Sequence, residues 1–135
     1  MTARYRYDET LDPPAPIVPV RISTPGGDDA VMLPMLVDTG ADCTLVPRRI
    51  VQQLRLPRVD VIAVTGVGGG RQRTTVHVAA VDFGGHHELA RVVAFAEEAI
   101  LGRDLINQAV VVLDGPARAI SIRRRSRPRR AQRSR

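Results

Sequence analysis

An aspartate at the end of an apolar segment is the feature of this sequence best suited to chemistry. Leu36 and Val37 precede Asp38, and Thr39 and Gly40 follow it directly. A positioned carboxylate can act as a general base when ionised and as a general acid when protonated. Asp and Gly are also ordinary turn residues, so the same three letters can simply end a strand. Asp-Thr-Gly alone therefore indicates a candidate site and nothing more.

Two further segments stand at distances from Asp38 that make a plain turn a poor explanation. A glycine-rich segment, residues 66–70, follows about thirty residues later, and residues 99–104 read Ala-Ile-Leu-Gly-Arg-Asp. The second segment predicts an apolar strand that ends in glycine and leads into a helix. Together with the aspartate motif, these segments resemble the retropepsins, the proteases of retroviruses and retrotransposons, and especially their bacterial relatives. The resemblance extends over residues 16–122.

This resemblance implies a mostly-β, acid-protease-like closed sheet with one or two short helices, and peptide-bond hydrolysis without a cofactor. In that chemistry a water molecule is activated between two carboxylates about 3 Å apart, which share a proton because both cannot ionise. The sequence holds one Asp-Thr-Gly and is too short for a two-lobed protease. The second Asp38 would therefore come from a second copy across a two-fold axis, so we expect a homodimer.

The resemblance also assigns roles to the neighbours of Asp38. Thr39 would hydrogen-bond across the two-fold axis, and Gly40 would let the backbone turn and present its N–H near the carboxylates. These two residues complete the predicted catalytic motif. Asp42 and Arg103 are implied to form a structural pair that ties the active-site loop, which begins at Asp38, to the helix predicted after Gly102. The alternative for these two residues is a surface ion pair that contributes little stability.

The glycine-rich segment lies at the tip of a predicted hairpin, residues 59–81, which resembles the flap that closes over substrate. Without the aspartate motif, the same glycines would indicate only a flexible turn. The resemblance implies a substrate groove that prefers apolar or aromatic side chains next to the scissile bond. Its predicted lining residues are Ala41, Asp42, Val67, Gly68, Gly69, Ile100 and Leu101. Ile100 and Leu101 could equally belong to the core.

Short Val-rich segments separated by turns predict seven or eight strands, with helices at residues 47–56 and 103–108. Residues 1–15 are polar and then proline-rich, which predicts a flexible leader before a protease domain at 16–122. Residues 123–135 predict a disordered tail that holds eight of the 20 arginines. Without that tail, twelve arginines stand against 14 acidic residues, a net charge of −2.

The arginine-rich tail predicts a nonspecific nucleic-acid or anionic-surface partner through phosphate contacts, although it could equally serve only solubility. The alternative function is a non-catalytic peptide-binding or dimerisation module whose tail binds nucleic acid. The intact Asp38 favours the enzyme, because a binding module has no need of that carboxylate.

The remaining reactive side chains predict neither a disulfide nor a metal site. Cys43 is the only cysteine, so no intrachain disulfide can form, and we expect it to be a small buried residue and not a functional thiol. His77, His86 and His87 lack the spacing of metal ligands, and no metal is expected. The single cysteine and the shortness of the apolar segments favour a cytoplasmic location.

Overall fold

The computed structural model describes residues 1–66 and 68–125 of the chain. Ten strands and two short helices follow one another within these residues. No helix in this part of the chain is long and apolar enough to cross a membrane. The elements are β1 (Thr2–Arg6), β2 (Ile17–Ser23), β3 (Ala30–Val37), β4 (Leu45–Val46), α1 (Arg48–Gln53), β5 (Arg58–Thr65), β6 (Arg71–Phe83), β7 (His86–Ala94), β8 (Ile100–Leu101), α2 (Arg103–Ile106), β9 (Val110–Asp114) and β10 (Ala119–Arg123).

Seven strands form one sheet in the order β2-β3-β8-β4-β7-β6-β5. An additional antiparallel pairing joins residues 20–23 of β2 to residues 80–83 of β6, so six of these strands close into a ring. Closure gives each strand of the ring two partners, whereas β5 pairs only with β6 among the described residues. Unpaired strand edges are templates for aggregation, and the ring has none. The predicted mostly-β closed sheet with two short helices is therefore confirmed.

The interior of the ring is filled by aliphatic side chains on alternate positions of the strands. Val18, Val20 and Ile22 of β2 are fully buried, and Phe83 at the end of β6 is the largest buried side chain. Alternation follows from the two-residue period of a strand, which sends successive side chains to opposite faces. Each such burial stabilises the fold by roughly 1.5–3 kcal/mol relative to exposure.

The three remaining strands form a second sheet in the order β1-β10-β9. The prediction of a flexible leader at residues 1–15 is wrong for β1, which pairs antiparallel with β10 from Thr2↔Arg123 to Arg6↔Ala119. Ala3 and Tyr5 are half-buried while their neighbours are exposed, an alternation too short to outweigh the polar composition. The predicted tail also begins later than expected, since Arg123 ends β10; residues 126–135 lie outside the described residues.

Both predicted helices are present, each shorter than its predicted range. α1 begins after Pro47, whose ring suits the start of a helix, and α2 begins after Gly102. The structure has more strands than the predicted seven or eight, because β1 and β4 were not expected. β4 is only two residues long and exists through its parallel pairing with β7 and its contact with β8.

A short parallel contact between β3 and β8 positions the aspartate motif. Leu36 pairs with Ile100 and Val37 with Leu101, and the N–H of Asp38 then donates to the Leu101 carbonyl at 3.0 Å. The chain passes Cys43 so closely at Gly102 that a β-carbon there would overlap the Cys43 carbonyl group. Glycine is thus required at position 102 for steric reasons.

We expect Gly102→Ala to destabilise the protein by about 1–3 kcal/mol, the usual range for forcing an atom into a packed site. Urea unfolding followed by circular dichroism measures the change. Gly115→Ala is the matched control, because a β-carbon at Gly115 would meet no atom within 4 Å. Equal stability of the two variants would contradict the steric requirement at position 102.

Candidate active site

Asp38 lies half-buried where β3 ends, with its carboxylate held by the turn that follows it. Its Oδ1 accepts a hydrogen bond of 2.8 Å from the Gly40 N–H, and its carbonyl oxygen accepts one of 3.2 Å from the Ala41 N–H. A β-carbon at Gly40 would stand 3.1 Å from the same Oδ1, which is closer than nearly all such contacts. Glycine therefore lets this backbone N–H approach the carboxylate and orient it.

The predicted ion pair between Asp42 and Arg103 is wrong. The guanidinium of Arg103 instead donates through Nη1 to the carbonyl oxygen of Thr39 at 2.7 Å. The backbone N–H of Arg103 donates to the carbonyl oxygen of Ala41 at 2.8 Å. Backbone carbonyls need hydrogen-bond partners wherever they lack a strand neighbour, and these two carbonyls use Arg103. The active-site loop is thus tied to α2 as expected, although by different acceptors.

A buried hydroxyl provides a second tie between the loop and α2 that sequence reasoning missed. Thr44 is fully buried; its Oγ1 donates to Asp104 Oδ1 at 2.8 Å and accepts from the Gly102 N–H at 3.1 Å. The Thr44 N–H donates to Asp104 Oδ2 at 3.2 Å. The sequence signal for this tie was Asp104 in the first turn of α2, because a carboxylate is stabilised at the N-terminal end of a helix. Its buried partner could not be read from spacing.

Asp38 faces a cleft of about 530 Å³ between the active-site loop and the β5–β6 hairpin. Among the predicted substrate-binding residues, Ala41 and Asp42 line this cleft. Sequence reasoning missed most of the others, although the alternation of β5 and β6 could have indicated Val64 and Gln72. The described residues that line it are Asp38, Gly40, Ala41, Asp42, Cys43, Leu45, Val64, Thr65, Gly66, Gly70, Gln72, Phe95 and Glu98.

The two strand residues predicted to line the groove differ in their positions. Leu101 is fully buried in the main core, so the prediction that it contacts substrate is wrong and its alternative as a core residue is correct. Ile100 is half-buried and packs with Leu45 in a small apolar cluster beside the cleft. Alternation explains the difference, because adjacent residues of β8 point to opposite faces.

The tip of the β5–β6 hairpin requires glycine. Gly68 and Gly69 have φ values of +100° and +80°, where a side chain would be strained. Both residues are exposed, and neither lines the cleft in the single chain, where Gly66 and Gly70 do so instead. Val67, also predicted to contact substrate, lies outside the described residues.

The three histidines lie in strands, away from the residues that line the cleft. His77 is buried in β6 and shares hydrogen bonds of 2.8 Å with the Leu56 carbonyl oxygen and the Thr75 hydroxyl. His86 and His87 lie at the start of β7, beside Glu88 and Asp82 respectively. These contacts give each ring a local structural role.

Cys43 is the one thiol that borders the cleft. Burial raises the pKa of Cys43 to about 11, and the charge of Asp42, a hydrogen bond with Asp42 and the charge of Asp104 act in the same direction. Thiolates and not thiols are nucleophiles, so this residue is inert near neutral pH. That environment fits a small, half-buried structural residue better than the nucleophile of a cysteine-based hydrolase.

We expect Cys43 in the folded protein to react with iodoacetamide at a rate that keeps rising above pH 9, because its thiol ionises near pH 11. Mass spectrometry of samples quenched between pH 7 and 11 gives the rate profile. The same chain in urea is the control, and its profile should level off above about pH 9.5, where an ordinary cysteine is almost fully ionised. Coincident profiles would contradict the raised pKa.

Comparison with known proteins places this geometry in a family. The family model described as "gag-polyprotein putative aspartyl protease" matches residues 28–108, which is more than half of the chain. Comparison with curated protein sequences gave no significant match.

The solved structures that are similar to this chain include two proteases. EIAV protease, solved in complex with the inhibitor HBY-793, is 26% identical with a TM-score of 0.53 over 69% of this chain and 86% of that chain. A retropepsin-like aspartic protease from Rickettsia conorii shares the fold at 12% identity, with a TM-score of 0.58 over 90% of this chain and 91% of that chain. The matched family segment contains Asp38, the hairpin and α2. The chain therefore belongs to the gag-polyprotein aspartyl protease family and has the retropepsin-like fold.

Proposed function

We propose that this protein is an aspartic endopeptidase that activates a water molecule between two Asp38 carboxylates at the two-fold axis of a homodimer. The observation that carries the proposal is the placement of Asp38, which faces a cleft while the Gly40 N–H orients its carboxylate. Family membership supports the same chemistry, because the matched model is that of an aspartyl protease.

The proposed reaction divides acid and base work between the two carboxylates. The ionised carboxylate takes a proton from the bound water, whose oxygen attacks the peptide carbonyl carbon, while the protonated carboxylate donates to the carbonyl oxygen. When the C–N bond breaks, a proton passes to the leaving nitrogen and the second fragment departs as a carboxylic acid. One carboxylate cannot give and take protons in the same step, so a single Asp38 does not suffice.

The sequence supplies only one Asp-Thr-Gly, which is why the proposal requires a second copy. Thr39 is exposed beside Asp38, and Arg103 holds its carbonyl oxygen, so its side chain is free to reach a partner loop from a fixed backbone. An isologous contact across a two-fold axis would bring the same loop of each copy together. Thr39 and Gly40 are thereby proposed as positioning residues of the dyad.

The β5–β6 hairpin is proposed as the flap that closes over a bound polypeptide. Val64 and Gln72 pair across the hairpin and line the cleft from the side opposite the active-site loop. Gly68 and Gly69 give the tip the backbone freedom that opening and closing would need. Closure would exclude water and strengthen the electrostatic interactions inside.

The non-catalytic binding module remains the alternative, and a nucleic-acid or anionic-surface partner for the arginine-rich segment stays a prediction. Residues 126–135, which hold five of its eight arginines, lie outside the described residues. The cleft itself serves either function, so only the fate of a bound peptide separates them.

We expect Asp38→Asn to abolish cleavage of a proteome-derived peptide library between pH 4 and 7, with a loss of at least about 100-fold. The amide cannot take the proton of the attacking water. Asp28→Asn is the matched control, since Asp28 is exposed in the β2–β3 turn and outside the cleft. Cuts shared by the wild type and Asp38→Asn would contradict the proposal, and peptides bound without cleavage by a dimeric wild type would favour the binding module.

A mixing experiment tests the shared site directly. We expect a tenfold excess of Asp38→Asn chains to lower wild-type activity about tenfold after subunit exchange, because most wild-type chains then sit in heterodimers with one aspartate. Native mass spectrometry confirms the exchange. The same excess of Asp28→Asn should not lower activity. Undiminished activity in exchanged heterodimers would show that each chain works alone.

A further inference from the structure

The described residues that line the cleft carry negative charge without a basic partner. Asp38, Asp42 and Glu98 all line it, and no arginine or histidine does. Asp42 and Glu98 are exposed, and neither forms an ion pair with another described residue. Between these carboxylates the cleft presents apolar surface from Leu45, Val64 and Phe95. A ligand that fills the cleft must therefore match an apolar floor and an anionic border.

Glu98 has no ion-pair partner among the described residues, whereas its neighbour Glu97 has one. Glu97 is bound by Arg49 Nε at 3.1 Å, and Asp60 and Glu9 are likewise paired with arginines. Arginine is thus available to exposed acids elsewhere on the molecule, but not to those in the cleft. A charge left unpaired beside a ligand groove is available to a charge on the ligand.

Three arginines that are close in sequence to lining residues do not line the cleft themselves. Arg71 and Arg73 flank Gln72 in β6, and only Gln72 of these three residues lines the cleft. Arg103 uses its guanidinium on the Thr39 carbonyl oxygen. Among the described residues, the hairpin and α2 therefore contribute no arginine to the lining of the cleft.

The thiol of Cys43 responds to the same negative field. Burial raises its pKa, and the next contribution comes from the charge of Asp42, which opposes a second negative charge in the cleft. A positive group on a ligand would experience the opposite effect and be attracted.

We infer that the cleft selects polypeptides that carry arginine or lysine beside the apolar residue at the scissile bond, with Glu98 and Asp42 as the residues that determine this specificity. The inference rests on the proposed endopeptidase function. Arginine is favoured over lysine, because its planar guanidinium can bind a carboxylate in a bidentate manner. Exposed ion pairs contribute little, so the effect depends on closure of the β5–β6 hairpin, which lowers the solvent screening around Glu98 and Asp42.

The test uses three peptides with one apolar scissile pair and arginine, norleucine or glutamate at a single flanking position, which is scanned along the peptide. We expect wild-type kcat/KM for the best arginine peptide to exceed that for its norleucine counterpart about fivefold to tenfold, with the glutamate peptide poorest. Glu98→Gln should lower the arginine-to-norleucine ratio, and Asp42→Asn combined with Glu98→Gln should bring it close to one. Glu97→Gln is the matched control and should keep the wild-type ratio, because Glu97 does not line the cleft.

Different outcomes would contradict the selectivity for arginine and the proposed endopeptidase activity. Cleavage of arginine and norleucine peptides at equal rates would overturn the selectivity while leaving the endopeptidase intact. A ratio unaffected by Glu98→Gln would remove Glu98 from the specificity determinants. If a dimeric wild type cleaved no peptide, the proposed function would fail, and fluorescence anisotropy of the same peptides would then decide the selectivity: equal affinity for all three would overturn it.

Discussion

The candidate site depends on one short parallel contact, in which two residues at the end of β3 pair with two residues of β8. This contact brings Asp38 beside Gly102, 64 residues later in the chain, and the ring of strands around it holds the two segments in register. The hydrogen bonds of Thr44 then lock the loop to α2. Each such bond contributes only about 0.5–1.5 kcal/mol, but leaving a buried partner unsatisfied costs more. The position of the loop is therefore maintained by several buried hydrogen bonds, and within that loop the Gly40 N–H orients the Asp38 carboxylate.

Residue patterns within one segment were sufficient to predict most of the strands and the turn at Asp38. Alternating apolar residues predicted most of the strands of the closed sheet, and Asp and Gly predicted a turn at Asp38. The N–H of Gly40 near the carboxylate was implied by the family resemblance. Features set by distant partners were not predictable in this way. β4 exists only through its neighbours β7 and β8, and Glu98 enters the cleft only because the turn after β7 lies beside it. Leu101 was misassigned because spacing cannot say which side of a two-residue strand faces the core.

The wrong ion pair of Asp42 and Arg103 shows a different limit. A resemblance between sequences transfers residue types to matching positions, but it does not transfer the acceptor that a long side chain chooses. Arginine has five N–H donors, and a loop that leaves backbone carbonyls unpaired offers it acceptors that no motif records. Here the carbonyl of Thr39 takes that role, and Asp42 is left to border the cleft. Because Arg103 binds the Thr39 carbonyl and not Asp42, the loop is fixed and the Asp42 carboxylate is available to bind a ligand.

That surplus of negative charge becomes larger in the proposed homodimer. Among the described residues, each chain contributes the carboxylates of Asp38, Asp42 and Glu98 to the lining of its cleft, and a two-fold axis would place both sets around one groove. Like charges in a groove that excludes water repel one another more strongly than on an open surface. Proton sharing relieves the repulsion between the two Asp38 side chains but does nothing for Asp42 and Glu98. A basic substrate would relieve the remainder, so the same carboxylates that oppose an empty closed cleft would favour closure over an arginine-containing peptide.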